Sequence, residues 1–147
     1  MAIGCWLLAV GYWLSAVGYW LLASENQKYK MRDFLKYKVW KLSISVAKKI
    51  YSLTAELPQS EKYGITSQIQ RAGISISSNI AEGCSRNSEK DFARFIEIAL
   101  GSSFEVESLL VLIRELKFTM AGDVEELLSE LHLLQRKLNS LYSKLRR

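Results

Sequence analysis

Residues 124–145 read VEELLSELHLLQRKLNSLYSKL, and in this stretch an apolar residue returns every three or four positions. Residues at that spacing share one face of an α-helix. The positions follow a heptad spacing: Val124, Leu127, Leu131, Leu134, Leu138, Leu141 and Leu145. The stretch therefore predicts a long helix whose leucine face is buried against other helices.

Three segments upstream have the same periodicity and predict three more core-facing helices. The first core face comprises Tyr37, Trp40, Ile44, Ala47, Tyr51 and Thr54. The second comprises Ile65, Ile69, Ala72, Ile76 and Ile80. The third comprises Phe92, Phe95, Ala99, Ser102, Val106, Leu109, Ile113 and Leu116. Four helices joined by short connections predict an all-α protein, an antiparallel up-down-up-down four-helix bundle.

Local signals give the expected helix ends. The first helix should end near Leu57-Pro58, because the residue before proline is disfavoured in the α region. Gly83 is placed to terminate the second helix as a left-handed cap. The patterns Ser88–Asp91 and Asp123–Glu126 predict capping boxes at the starts of the third and fourth helices.

Two further sets of residues concern packing. Small residues in the second helix favour close helix approach over a small-molecule pocket, and they are Ala72, Gly73, Ser75 and Ser78. Surplus leucines widen the last two core faces, and they are Leu110, Leu112, Leu128 and Leu133. We expect part of that surplus to contact another subunit.

The composition is that of a helical, reduced protein. The chain has 147 residues with one proline and eight glycines, which excludes a turn-rich all-β fold. Its net charge of +5 permits contact with nucleic acid or an anionic membrane without requiring either. Cys5 and Cys84 form neither a disulfide framework nor a metal spacing, so we expect a cytoplasmic location.

Residues 1–30 differ from the rest. Residues 2–22 are three copies of an apolar heptapeptide, and the uncharged run is long enough to span a bilayer. A seven-base DNA repeat, TTGGCTA, encodes the same heptapeptide apart from single-base changes, which favours an over-extended reading frame that starts natively at Met31. Residues 1–30 are therefore expected to be extraneous and residues 31–147 to be the bundle domain. A membrane anchor is the alternative if residues 2–22 are translated and retained.

The up-down topology predicts that basic residues gather at one end of the bundle. They are Arg32, Lys36, Lys38, Lys41, Arg86, Lys90, Lys144, Arg146 and Arg147. The opposite end should hold Glu56, Glu61, Asp123, Glu125 and Glu126. The basic end is either a phosphate-binding surface or a set of solvated lysines, and Phe34 and Tyr37 could stack on bases or pack in the core.

Polar residues near the end of the second helix form another candidate cluster. They are Arg71, Asn79, Glu82 and Arg86. We expect a hydrogen-bonded network that caps the helix and fixes the bend into the third, in preference to a ligand site.

The sequence offers little for catalysis. His132 is the only histidine, and it lies in a different predicted element from Cys84, so no nucleophile has an adjacent base. No Glu-x-x-His pair suggests a di-metal site, and no glycine-rich phosphate loop is present. We expect no catalytic residues, no metal, no cofactor and no small-molecule substrate.

Residues 68–83 read QIQRAGISISSNIAEG, and Arg86, Ser88, Phe92 and Phe95 follow. This run, together with residues 31–34, closely resembles the bacterial 23S rRNA intervening-sequence protein family. The resemblance covers residues 31–147, with Gly73 standing where the family usually has Ala or Ser.

The resemblance implies a four-helix bundle, often a ring-shaped homopentamer, without established catalytic activity. A related branch, the accessory variability proteins of diversity-generating retroelements, implies a basic pentamer that binds nucleic acid and a reverse transcriptase. The expected function is a non-catalytic homo-oligomeric scaffold that binds RNA or DNA through its basic end, together with a protein partner. The alternative is a protein-interaction module that binds no nucleic acid, and is membrane-tethered if the leader is retained.

Overall fold

The computed structural model describes residues 32–146, which form four α-helices. The helices are α1 (Lys38–Thr54), α2 (Ile65–Cys84), α3 (Glu89–Glu115) and α4 (Ala121–Leu145). Short 3-10 helices at Phe34–Lys36 and Gln59–Glu61 precede α1 and α2. This part of the chain contains no strand, which confirms the all-α prediction. The expectations for residues 1–30, Met31 and Arg147 lie outside the described residues.

Neighbouring helices contact each other in an antiparallel sense. Between α3 and α4, Glu97 accepts a hydrogen bond from Tyr142 while Glu107 accepts one from Gln135, so numbers rise along one helix as they fall along the other. The same relation joins α1 to α2, since Thr54 contacts Gln70 while Ile50 lies against Gly73. It also joins α2 to α3, since Ser75 contacts Ser102 while Gly83 lies against Phe92, and α4 packs against α1. These contacts fit the up-down-up-down order expected from short connections.

The predicted core faces of α2 and α4 are largely found. Ile69, Ala72, Ile76 and Ile80 of α2 are buried, with Ile65 half-buried at the helix start. On α4 the buried residues of the predicted face are Val124, Leu127, Leu131, Leu134 and Leu138. Leu141 and Leu145 pack against the same core from a half-buried position near the chain end.

The predicted core face of α1 is wrong by about one position. The buried residues are Val39, Ser43, Val46, Ile50, Leu53 and Thr54, of which only Thr54 was expected. Tyr51 is exposed, and Tyr37 and Trp40 lie half-buried at the edge of the core. The predicted face was the one that carries the large aromatic residues. Aliphatic side chains fill the centre instead, because a tyrosine hydroxyl favours a position near water.

The predicted core face of α3 is right at every second position. Phe92, Ala99, Val106 and Ile113 are buried as expected. In place of Phe95, Ser102, Leu109 and Leu116, the core receives Ile96, Ser103 and Leu110. The helix contacts both α2 and α4, so its buried face points between them and is wider than one stripe.

The helix ends give one confirmation and two corrections. Ser88 Oγ accepts a hydrogen bond from the Asp91 N–H at 2.9 Å, as the capping box predicts. Gly83 is not a left-handed cap, since α2 continues to Cys84 and no described glycine has a positive φ. Asp123 is not the cap of α4, because the helix begins at Ala121 and places Asp123 in its first turn, where a carboxylate still favours the helix dipole.

The surplus leucines divide between core and surface. Leu110 and Leu128 are buried, whereas Leu112 and Leu133 are exposed. Within residues 32–146, no helix combines the length and the apolar character needed to cross a bilayer.

Candidate functional site

Arg32 fastens the start of the described chain to the connection between α2 and α3. Its backbone N–H donates to the Cys84 carbonyl at 3.2 Å, and its Nη1 donates to the Arg86 carbonyl at 2.7 Å. The guanidinium carbon lies 4.9 Å from the centroid of the Phe92 ring. The Arg32 side chain, predicted to bind phosphate, is therefore half-buried and engaged in packing.

Arg86 is also engaged within the fold. It forms an ion pair with Glu82 one turn earlier, and its guanidinium carbon lies 4.6 Å from the Phe95 ring centroid. Its Nε is buried and has no hydrogen-bond partner in the described part of the chain. The contacts of Arg86 therefore stabilise the junction between α2 and α3, and its guanidinium is less available to bind a ligand.

The predicted polar network is two separate groups, so the expectation of one network is wrong. Asn79 Nδ2 donates to the Ser75 carbonyl at 2.8 Å and to Ser75 Oγ at 3.0 Å. Ser75 Oγ lies 2.8 Å from Ser102 Oγ of α3, so this group ties α2 to α3. Glu82 and Arg86 form the second group, and Arg71 is exposed and belongs to neither. Ser75, Asn79 and Glu82 share one side of α2, but the two groups lie at successive turns and no hydrogen bond joins them within the described residues.

Lys49 shows which sides of α1 and α4 face each other. Its Nζ lies 2.5 Å from Glu126 Oε1 and 2.7 Å from Glu130 Oε1, both on α4. The hydrogen bond from Lys49 is the main cause that lowers the pKa of Glu126. At this end of the bundle, Lys49 of α1 is thus paired with two carboxylates of α4.

Toward the other end, within residues 32–146, the same two sides carry lysines and no Asp or Glu. Lys38 precedes Lys49 by eleven residues, which is three helical turns, and so lies on the same side of α1. Lys137 and Lys144 follow Glu130 by seven and fourteen residues, on the side of α4 that faces α1. Lys41 lies one turn along from Lys38. We call Lys38, Lys41, Lys137 and Lys144 the lysine face.

The sequence around the lysine face contains no acidic residue. Residues 34–55 and 131–147 include neither Asp nor Glu. All four lysines of the face are exposed. Lys36, also predicted, is exposed but lies 3.5 Å from the Asp33 carboxylate. Unpaired cations in high local density attract an anionic polymer more strongly than paired ones.

A groove between α3 and α4 holds the remaining predicted cations. It has a volume of about 630 Å³, and Lys90 and Arg146 lie on its rim. Arg94 and Tyr142 also line it, and neither stands out in the sequence as a site residue. We call this space the Tyr142 groove.

The opposite end of the bundle is acidic and internally paired. Arg114 Nη1 donates to Glu125 Oε1 at 2.8 Å, and Thr119 lies 3.5 Å from Glu56. Hydrogen bonds that Arg114 donates to Glu125 and Glu115 raise the pKa of its guanidinium, which stays charged. At this end Glu115 and Glu125 are thus paired with Arg114 within the fold.

The groups considered for catalysis lie apart. Cys84 is buried, which raises the pKa of its thiol and disfavours the thiolate. His132 is exposed on α4, and its Nε2 lies 3.0 Å from Glu107 Oε1. Gln135 also donates to Glu107, and these two hydrogen bonds lower the pKa of the carboxyl. Within residues 32–146, no group of three or more potential metal ligands converges.

Comparisons with known proteins agree with the helical architecture. The family model described as 23S rRNA-intervening sequence protein matches residues 35–140. Among solved structures, the chain is similar to a protein of unknown function from the S23 ribosomal protein family of Bacteroides thetaiotaomicron VPI-5482. The identity is 27%, the TM-score is 0.66, and the match covers 71% of this chain and 97% of that chain. No curated protein matches this chain.

Proposed function

Because the chain belongs to the 23S rRNA-intervening sequence protein family, we propose that it is a non-catalytic homo-oligomeric scaffold that binds RNA or DNA through its basic end. The single observation that carries this proposal is the lysine face. Its four exposed cations lie on two helix segments that lack any acidic residue. A phosphate backbone complements such a surface, and the released counterions supply the binding free energy.

An exposed apolar row on α3 supports the proposed assembly. Ile98 and Leu112 of α3 and Leu116 at its C-terminal cap are exposed at 43%, 42% and 46%, and their spacing places them on one side of the helix. Exposed apolar residues in such a row are typical of a subunit contact. An oligomer would repeat the lysine face and turn a weak site into a multivalent one.

Charge reversal at two matched pairs of cations tests the nucleic-acid proposal. In the first variant, Lys38→Glu and Lys137→Glu remove two cations of the lysine face. In the control variant, Lys62→Glu and Arg71→Glu make the same change in net charge toward the opposite end of the bundle. All four side chains are exposed, and Glu at position 38 suits the first turn of a helix, so both variants should fold.

We expect the lysine-face variant to bind single-stranded RNA and duplex DNA about tenfold or more weakly than wild type. The control variant should stay within about threefold, since its charges lie away from the site. Filter binding with the full chain measures both. Equal losses of affinity in the two variants would show that only net charge governs binding, and they would contradict a localised interface.

A protein-interaction module is the second candidate function. The exposed row on α3 favours it, because apolar contacts suit a protein surface better than a phosphate backbone. If wild-type protein binds neither RNA nor DNA at low salt, this function takes the place of the first.

A further inference from the structure

The Tyr142 groove combines an apolar floor with a charged rim. Ala93 is buried beneath it, and Leu145 packs half-buried beside it. Its remaining lining residues are Lys90, Arg94, Glu97, Tyr142 and Arg146. A volume of about 630 Å³ lies within the range of small-ligand sites.

Tyr142 is held in a fixed position in this groove. Its hydroxyl donates to Glu97 Oε1 at 3.0 Å and accepts from Arg146 Nη1 at 3.2 Å. The Arg146 guanidinium carbon lies 5.5 Å from the ring centroid. The hydrogen bond to Glu97 remains when a planar group stacks on the ring, so Tyr142 loses little further freedom, which favours binding.

The rim supplies three cations close to that ring. Lys90, Arg94 and Arg146 are all exposed and line the same groove. An apolar slot with an aromatic wall suits a nucleobase, and cations around it suit the phosphates on either side. Glu97, the one carboxylate in the groove, can also accept a hydrogen bond from a base amino group.

We propose that the Tyr142 groove holds one unpaired nucleobase of a single-stranded nucleic acid, stacked on Tyr142, with the flanking phosphates on Lys90, Arg94 and Arg146. When the base stacks on Tyr142, the Arg146 side chain moves off the ring, and its guanidinium contacts a phosphate instead. A paired base cannot enter, because it would first have to leave its stack and its partner. The groove therefore makes the scaffold prefer single strands, loops or frayed ends over duplex. This inference rests on the proposed function and specifies the form of nucleic acid.

The test uses the full chain and three variants. Tyr142→Leu removes the ring but keeps apolar volume against the core, and Tyr142→Phe keeps the ring but loses the hydrogen bond to Glu97. Tyr63→Leu is the matched control. Tyr63 is 86% exposed and has Lys62 5.6 Å from its ring centroid, in the connection at the other end of the bundle.

The probes are a single-stranded RNA, a single-stranded DNA of the same sequence and a blunt duplex, each carrying 2-aminopurine. We expect Tyr142→Leu to bind both single strands about 5- to 100-fold more weakly and the duplex within about twofold of wild type. Tyr142→Phe and Tyr63→Leu should bind all three probes within about threefold. Wild-type protein should quench the fluorescence of the single-stranded probes as the base stacks.

Several outcomes would overturn the proposal. One is that Tyr142→Leu binds single strands with the affinity of wild type, and another is that it loses the same affinity for single strands as for duplex. A third is that polyglutamate displaces the bound single-stranded probe from wild-type protein as effectively as unlabelled RNA does. If Tyr142→Leu does not fold, the quenching by wild-type protein decides, and no quenching at saturation refutes stacking. Wild-type protein that binds no probe would instead refute the proposed function itself, so the two failures are distinguishable.

Discussion

At the scale of single residues, close packing explains glycines that local sequence rules assign to turns. Gly83 looks like a helix cap in the sequence, yet it lies inside α2 where α3 approaches. An added Cβ would lie 2.8 Å from both Phe92 Cδ2 and Phe95 Cβ. Gly73 similarly brings α2 close to Ile50 of α1, as the small residues predicted, because a Cβ there would lie 2.7 Å from Ile50 Cδ1. The small residues are visible in the sequence, but the helix that each one faces is set by the packing.

Gly83→Ala should destabilise the protein by about 1–3 kcal/mol. The Phe95 Cβ is attached to the backbone, so α3 itself must shift to make room. That cost exceeds the gain of about 0.5–1 kcal/mol from replacing a helical glycine. Gly101→Ala is the control, because nothing lies within 4 Å of an added Cβ on this exposed glycine of α3. It should stabilise by about 0.5–1 kcal/mol. Urea unfolding followed by circular dichroism measures both, and a Gly83→Ala protein as stable as wild type would refute the packing role.

At the scale of the helices, periodicity gave the number and type of elements, while the exact buried face depended on the neighbours. The α2 and α4 faces were predictable, because one row of aliphatic residues stands out against polar ones. In α1 two rows compete, one containing Trp40 and Tyr51 and the other Val46 and Ile50. Only the packing against α2 and α4 decides between them. The end of α3 carries no glycine signal in the sequence, because Lys117 adopts φ 56°, a conformation that favours glycine.

Lys117→Gly should stabilise the protein by about 0.5–1 kcal/mol, because it relieves left-handed strain at the cap of α3. The cap geometry is already formed: Lys117 N–H donates to the Arg114 carbonyl at 3.0 Å and Phe118 N–H to the Ile113 carbonyl at 3.2 Å. Lys48→Gly is the control, an exposed lysine inside α1 that should cost about 1 kcal/mol when replaced. Thermal unfolding of the two variants should thus shift in opposite directions. A lower midpoint for Lys117→Gly would contradict the assigned cap.

At the scale of the whole molecule, charge and apolar surface are distributed unevenly. The basic end could be predicted, because topology places the start of α1 beside the end of α4. Which cations of the basic end are free on the surface could be predicted less well. Arg32 and Arg86 were predicted to be surface cations but pack on Phe92 and Phe95. Lys137, which was not predicted, lies on the lysine face, and only its seven-residue spacing from Lys144 could have signalled it. Tyr142 was missed, since the neighbours that form its groove come from a distant part of the sequence.

The proposed assembly gives a direct prediction at this scale. Light scattering of the full chain should give a mass near five times the 16.8 kDa of one chain at micromolar concentration. Leu112→Glu should lower that mass, because it places a charge in the exposed apolar row of α3. Leu35→Glu, at a residue 53% exposed outside that row, should leave it unchanged. A monomeric wild-type protein would refute the assembly.

The central claim is that the basic end binds nucleic acid through phosphates, and the salt dependence of filter binding tests it most directly. The full chain is titrated with single-stranded RNA at several salt concentrations. The account predicts binding at low salt and a linear fall of log affinity with log salt, with a slope of about −0.7 for each phosphate contacted. The Lys38→Glu and Lys137→Glu variant should show a shallower slope. Wild-type protein that fails to bind at low salt, or binds with an affinity that salt does not change, would contradict the account.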